Sequence, residues 1–224
     1  MIKENVARVL EKISDAAAQS GRKPEDITLI GVTKTVSYEQ ARELMDAGVF
    51  HLGENRVQSF LEKYEHLKQE PTWHLIGHLQ TNKVKYIAGK VSMIHSVDSL
   101  KLATEIDKQF QGVGKCADIL VQVNVSGEES KFGISPEEAF PLMEQLSQLT
   151  HLRVRGLMTM APKTDHPEDC RRFFYGLQKL AVDIKNKKYD NISMEHLSMG
   201  MSGDFREAIL EGATMVRIGS ALFE

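Results

Sequence analysis

The sequence predicts an α/β protein built as one closed (β/α)8 barrel, a TIM barrel, with an extra helix at its N-terminus. Three observations carry this. Short apolar, β-type runs alternate strictly with amphipathic helical stretches, which is the pattern of a parallel sheet. There are eight such runs, the number that closes a barrel. The first run ends in Gly31-Val32-Thr33-Lys34, not in the GxGxxG that an open nucleotide-binding sheet would show, so an open doubly wound sheet is the weaker alternative.

The elements follow in order. Val6, Val9, Leu10, Ile13 and Ala17 recur at helical spacing and predict a helix over residues 3–20, stopped by Gly21. Residues 27–33 read as a strand buried on both faces. Ser37 and Gln40 form a capping signal for a helix through Ala41, Leu44 and Met45 that Gly48 ends. Residues 49–53 form a second strand, and Glu54-Asn55-Arg56 leads into a helix bearing Val57, Phe60, Leu61 and Tyr64. Residues 73–77 form a third strand, followed by the polar loop 78–83 and a short helix over 84–88. Residues 91–97 are a fourth strand, after which Asp98 and Ser99 cap a helix through Leu102, Ile106 and Phe110. The fifth strand is 117–125, and Ser135-Pro136-Glu137-Glu138 opens the helix beyond it. A sixth strand at 154–158 precedes a long helix over 167–186. Residues 192–197 form the seventh strand, Ser202-Gly203-Asp204 start a helix through Ala208 and Ile209, and 214–218 form the eighth. No strand precedes the first helix and little follows the last strand, so the first helix is expected to cover the seam left between them. No Pro-, Ser- or Gly-rich linker interrupts the pattern, and residues 1–224 read as a single domain.

Composition narrows the function classes. The chain is 42% hydrophobic and 26% charged, with a net charge of −3 and the signs well mixed, which gives no basic face for nucleic acid. No apolar stretch approaches the ~20 residues of a membrane span. The N-terminus is charged and amphipathic, unlike a secretory signal. Cys116 and Cys170 are far apart and read as reduced thiols, so the expected location is the cytoplasm. His74 and His78 have a spacing that would suit a metal on a helix, but here they fall on a strand and a loop, so no metal site is expected. His196 reads as a core histidine, and the methionines at 158, 160, 194, 199 and 201 as packing around the barrel top. No exposed apolar stripe demands a partner, so a monomer is expected.

In a barrel the chemistry lies at the C-terminal ends of the strands. Lys34 stands at the end of the first. An ammonium at the mouth of an apolar strand is either a side chain whose stem packs while its head reaches water, or an amine freed by burial to attack carbonyls. After the seventh strand come Ser198-Met199-Gly200-Met201-Ser202-Gly203, and after the eighth Gly219-Ser220. Ser202 and Gly219 could simply cap and turn the chain. Two such loops at adjacent strand ends, where barrels hold phosphate, point instead to an anion cup. Arg217, on an otherwise apolar strand, needs an acceptor, either a structural carboxylate or a ligand ring nitrogen. A reactive lysine, a phosphate cup and an arginine on one face together suggest pyridoxal 5′-phosphate (PLP), with its aldehyde on Lys34. Within the loop 126–133, Glu128-Glu129-Ser130-Lys131 reads as solvated, though Lys131-Phe132-Gly133 could fold over the mouth.

These residues also carry a family resemblance. Val32-Thr33-Lys34-Thr35, Leu52-Gly53-Glu54-Asn55-Arg56-Val57-Gln58, the run from Trp73 to Lys83, Ile94-His95-Ser96-Val97-Asp98-Ser99, Gly156-Leu157-Met158-Thr159-Met160, Leu197-Ser198-Met199-Gly200-Met201-Ser202-Gly203-Asp204 and Val216-Arg217-Ile218-Gly219 resemble the pyridoxal phosphate homeostasis protein family, and the match spans nearly the whole chain. The resemblance implies a barrel like the N-terminal domain of alanine racemase, with PLP on Lys34 as a Schiff base. It implies that Ser202, Gly219 and Ser220 hold the phosphate and that Arg217 faces the ring nitrogen. Asn55 and His78 match motif positions near the ring, and Ser198 completes the candidate set. It further implies a protein that binds, buffers or delivers PLP, with apo PLP-dependent enzymes as transient partners, and no reaction of its own.

The residues bear on that last point. Racemisation needs a cofactor-stabilised carbanion and two bases on opposite faces. Lys34 can be one. Racemases resembling this barrel take the second, a tyrosine, from another subunit's extra β domain, and all 224 residues here are taken up by the barrel. A guanidinium is essentially never deprotonated, so Arg217 would leave the ring nitrogen unprotonated and the cofactor a weaker electron sink. A PLP-dependent amino-acid racemase remains the alternative reading. A third is a cofactor-free Schiff-base aldolase acting on a phosphosugar.

Overall fold

A computed structural model describes residues 1–224. Its strands are β1 (Thr28–Val32), β2 (His51–Glu54), β3 (Thr72–Leu75), β4 (Met93–Val97), β5 (Ala117–Gln122), β6 (Leu152–Met158), β7 (Ile192–Ser198) and β8 (Met215–Ile218). All pair in parallel in sequence order, and β8 returns to β1 with Ile30 opposite Arg217 and Gly31 opposite Ile218, so the barrel is closed. The helices are α1 (Ile2–Gln19), α2 (Tyr38–Asp46), α3 (Val57–Leu67), α4 (Val84–Ile87), α5 (Leu100–Gly112), α6 (Ala139–Leu146), α7 (Arg171–Lys185), α8 (Phe205–Leu210) and α9 (Ser220–Phe223). Strict βα alternation thus produces the closed barrel expected of it.

Helix α1 covers the seam. Its buried face carries Val6, Val9 and Ile13, each under 5% exposed, and each such side chain contributes about 1.5–3 kcal/mol on leaving water. Specific bonds fix its place: Asn5 Nδ2 donates to the Leu222 carbonyl at 3.1 Å, and Arg22, just past the helix, donates to the carbonyls of Ala213 and Ile209. The helix therefore packs between α2, α8 and α9, where the short α9 leaves room.

β1, β2, β4 and β8 start later than predicted, whereas β3 and β6 start earlier, at Thr72 and Leu152. Ile27, Val49 and Val91 are buried but precede the ladders, because burial alone does not make a strand. β5 stops at Gln122, and Val123 makes only an isolated bridge to Ile134 across the loop 126–133. The first turns of the helices after β5 and β6 are 3-10 turns, Pro136–Glu138 and Pro167–Cys170, each opened by its proline.

The barrel interior divides in two. Ile30, Met93, Leu120, Met158 and Met215 form a small apolar plug. Beside it stand polar side chains from β2, β3, β4, β7 and β8: His51, His74, His95, Ser198 and Arg217. The expectation that the methionines pack around the barrel top holds in part: Met158 fills the interior, while Met160 and Met201 line the mouth.

Candidate functional site

The chain leaves the barrel at Thr33. This residue is fully buried, its N–H donates to the Gly53 carbonyl at 3.0 Å, and its hydroxyl donates to Glu54 Oε1 at 2.5 Å. Glu54 is itself fully buried at the end of β2, and Lys63 of α3 reaches it with Nζ 2.9 Å from Oε1. The next residue, Lys34, sits on an exposed turn before Ser37 caps α2. The lysine is therefore exposed. A buried Thr33–Glu54–Lys63 cluster anchors the turn that presents it.

Arg217 stands on β8, the strand that pairs with β1. It is 4% exposed and spends Nη1 on Ser198 Oγ at 2.6 Å and Nη2 on the Thr159 carbonyl at 2.8 Å. It forms no salt bridge with a carboxylate. Burial lowers its pKa to about 10, with the more distant Asp204 pulling the other way, so it stays a cation at neutral pH. Its remaining N–H groups are unspent, and the residue lines the mouth.

The loops after β7 and β8 meet beside it. Ser202 Oγ accepts from the backbone N–H of Gly219 at 3.3 Å and of Ala221 at 3.5 Å. Ser202 was expected to start the helix after β7. That helix begins at Phe205 with Asp204 as its N-cap, and Asp204 Oδ1 accepts from the Met201 N–H at 2.6 Å, which frees the serine to face the β8 loop. Burial raises the Asp204 carboxyl above the usual range. Gly200 makes the tight approach possible: it has φ of +93°, and a Cβ there would lie 2.8 Å from the Phe205 Cα.

Asn55 follows Glu54 and lies against Gly77, where a Cβ would meet the Asn55 carbonyl oxygen at 2.3 Å. Only glycine lets β3 leave the barrel this close to Asn55.

Six of the eight residues expected from sequence line one cleft of about 430 Å³ at the C-terminal mouth: Lys34, Asn55, Ser202, Arg217, Gly219 and Ser220. The other two do not. His78 lies outside, half-exposed, stacked on Phe132 with ring centroids 4.0 Å apart and with Nδ1 3.8 Å from Asp98. It lines a neighbouring cleft of about 510 Å³ that shares Asn55. Ser198 is fully buried beneath the cleft and touches Arg217 instead. The loop 126–133 reaches the mouth through Phe132, as its sequence allowed. His74 is buried in the interior while His78 stands at the rim, so the two do not converge. His196, expected in the core, is only half-buried.

Sequence reasoning missed the Thr33–Glu54–Lys63 cluster and the interior histidines. A glutamate closing an apolar strand was the available signal for the first. For the second it was one histidine inside each of three successive strands, β2 to β4.

The class is a closed parallel eight-stranded barrel with an exposed lysine after β1, beside a buried arginine on β8 and a serine–glycine loop. The family described as alanine racemase, N-terminal domain, matches residues 6–224. A protein of Aquifex aeolicus named pyridoxal phosphate homeostasis protein is 48% identical over 98% of this chain and 96% of its own length. A protein of the same name from Pseudomonas aeruginosa is 41% identical over 99% and 94%. The structure of PipY from Synechococcus elongatus with PLP bound superposes with a TM-score of 0.86 at 32% identity, covering all of both chains. The chain belongs to the pyridoxal phosphate homeostasis protein family.

Proposed function

We propose that this protein binds PLP in the 430 Å³ cleft, through a Schiff base to Lys34, and acts in the cytoplasm as a non-catalytic carrier and buffer of the cofactor. The observation that carries this is the convergence of Lys34, Arg217 and the Ser202–Gly219–Ser220 loops on one cleft. The residues present fit the group. Arg217 is a buried cation whose own network offers only neutral acceptors, so it suits a ligand that brings a lone pair or negative charge. Ser202 and the Gly219 N–H are already turned to one another, a hydroxyl and an amide suited to phosphate oxygens. The names of the relatives and the cofactor in PipY support the same reading.

When bound, the cofactor supplies an aldehyde that condenses with a primary amine, with loss of one water. Every other part belongs to the chain. Lys34 offers the amine from a turn held by the Thr33–Glu54 bond. Ser202, Gly219 and Ser220 take the phosphate. Arg217 donates toward the ring nitrogen and, as a permanent cation, does not release a proton to it. Val32, Ile76 and Met160 give the cleft apolar lining.

Arg217 favours a carrier over a racemase, because a cation that keeps its proton would leave the ring nitrogen unprotonated and the cofactor a weaker electron sink. In solution the protein is expected to be a monomer that meets apo PLP-dependent enzymes transiently. The test is transfer of cofactor from loaded protein to an apo-enzyme in the presence of a scavenger of free PLP. Continued activation supports delivery, and abolished transfer leaves only buffering. Conversion of an L-amino acid to its D form above the rate of free PLP would overturn the non-catalytic reading.

A further inference from the structure

One continuous chain of polar side chains crosses the barrel interior beneath the cleft. It runs from His51 on β2 through His74 on β3 and His95 on β4 to Ser198 on β7 and Arg217 on β8. His51 Nδ1 lies 3.0 Å from His74 Nε2, His74 Nδ1 lies 2.9 Å from His95 Nε2, and His95 Nδ1 lies 2.8 Å from Ser198 Oγ. Arg217 Nη1 donates to the same oxygen at 2.6 Å. His74 and His95 are 2% and 0% exposed, whereas His51 is half-buried and forms the solvent end.

A neutral imidazole has one donor and one acceptor, so the chain can be polarised in only two ways. In the first, Ser198 donates to His95 Nδ1, and each ring then donates from Nε2 to Nδ1 of the next. The last proton, on His51 Nε2, points out of the chain. In the second, every ring donates from Nδ1 toward Ser198. The serine oxygen then accepts from both His95 and Arg217, and its own buried proton has no acceptor in the network. An unpaired buried donor carries its full desolvation penalty, so the first polarity prevails. The rings stay neutral because they are buried: His74 is held at about 3 and His95 well below the ordinary histidine range, with repulsion from neighbouring histidines and, for His95, from Arg217 adding to the burial.

We propose that His51, His74, His95 and Ser198, with all three rings locked as Nε2–H tautomers, form the positioning device for Arg217. A serine that itself donates into a hydrogen-bonded chain is a stronger acceptor than an isolated hydroxyl. It therefore fixes the guanidinium without a carboxylate and leaves the positive charge available to the cleft. Ser198 thus acts on a ligand through Arg217 rather than by touching it. What Arg217 faces rests on the PLP reading, while the tautomers do not.

The test has two arms. Histidine-15N NMR on the cofactor-free protein at pH 7 reads the tautomers directly. The expected result is three neutral Nε2–H rings, and an Nδ1–H tautomer or an imidazolium at His74 or His95 would overturn the proposal. The second arm compares His95→Phe with His95→Gln, whose amide can accept from Ser198 and donate to His74. His95→Phe is expected to weaken PLP binding about tenfold and shift its visible absorption, with His95→Gln within about threefold of the parent, as for the loss and rescue of a buried charged-group hydrogen bond. Equal behaviour of both variants and the parent would refute the positioning role. Correct tautomers in a protein that takes up no PLP would sink the functional reading and leave the chain intact; PLP uptake with the wrong tautomers would do the reverse.

Discussion

Substitution of Lys63 by methionine tests how the turn carrying Lys34 is held. Glu54 is fully buried, and the Lys63 side chain, 8% exposed, brings its ammonium to 2.9 Å. The carboxylate otherwise receives the Thr33 hydroxyl at 2.5 Å on the same oxygen, and Oε2 has no hydrogen-bond partner. Lys63→Met therefore leaves a buried carboxylate with one neutral donor. Breaking one side of a buried pair costs about 3–5 kcal/mol. At about 2–4 °C per kcal/mol for a chain of this size, the melting temperature should fall by about 6–20 °C. Urea denaturation monitored by circular dichroism gives the free energy. The double variant Glu54→Leu, Lys63→Met removes both charges and should recover most of the loss, because an apolar pair can replace a buried ion pair at little cost. It also deprives Thr33 of its acceptor, so it should hold PLP more weakly than the parent despite its restored stability. A loss below about 1 kcal/mol in Lys63→Met would show that the pair is not the anchor described here.

Further expectations follow from the interior and the mouth. Burial depresses the pKa of His74 to about 3 and that of His95 well below its ordinary value, whereas the unfolded chain titrates both near 6.5. Above that pH neither state takes up these protons. Below it the unfolded state does and the folded state does not, so stability is lost as pH falls from 6.5 toward 3, by up to about 1.4 kcal/mol per pH unit per histidine. Asp98 and Asp204, raised by burial, act in the opposite direction, and His51 and His196, lowered by burial, act in the same one, so comparing urea midpoints of the parent and His95→Gln between about pH 7 and 5 isolates the His95 share. His95→Gln should flatten that slope, and an unchanged slope would count against buried neutral rings. Gly77→Ala puts a Cβ 2.3 Å from the Asn55 carbonyl oxygen and 2.7 Å from its Cα, both backbone atoms. It should cost about 1–3 kcal/mol in urea denaturation and weaken cofactor binding through the displaced Asn55.

The barrel was legible in the sequence because its signals are local. Apolar runs, caps such as Ser37 and Ser99, and the proline starts at Pro136 and Pro167 each report on a few neighbouring residues. Strand ends were less legible: Ile27 and Val49 are as buried as strand residues, but the ladder that defines a strand depends on a neighbour far away in the chain. Lys34, Arg217, Ser202 and Gly219 could be grouped because the fold fixes where strand ends meet. His78 and Ser198 fall outside the lining of the cleft because His78 lies beyond the end of β3, in a loop whose path no periodicity reports, and Ser198, the last residue of β7, turns to His95 and Arg217 in the interior. The Glu54–Lys63 pair and the histidine chain left only faint signals for a related reason. Each joins residues that look ordinary alone and gain meaning only through contact.

The most direct measurement is chemical. The purified protein, loaded with PLP and reduced with borohydride, is digested and the modified peptide identified by mass spectrometry. The account predicts a single site at Lys34, with the visible absorption band absent from Lys34→Ala. Modification of a different lysine, or a band that survives in Lys34→Ala, would contradict it.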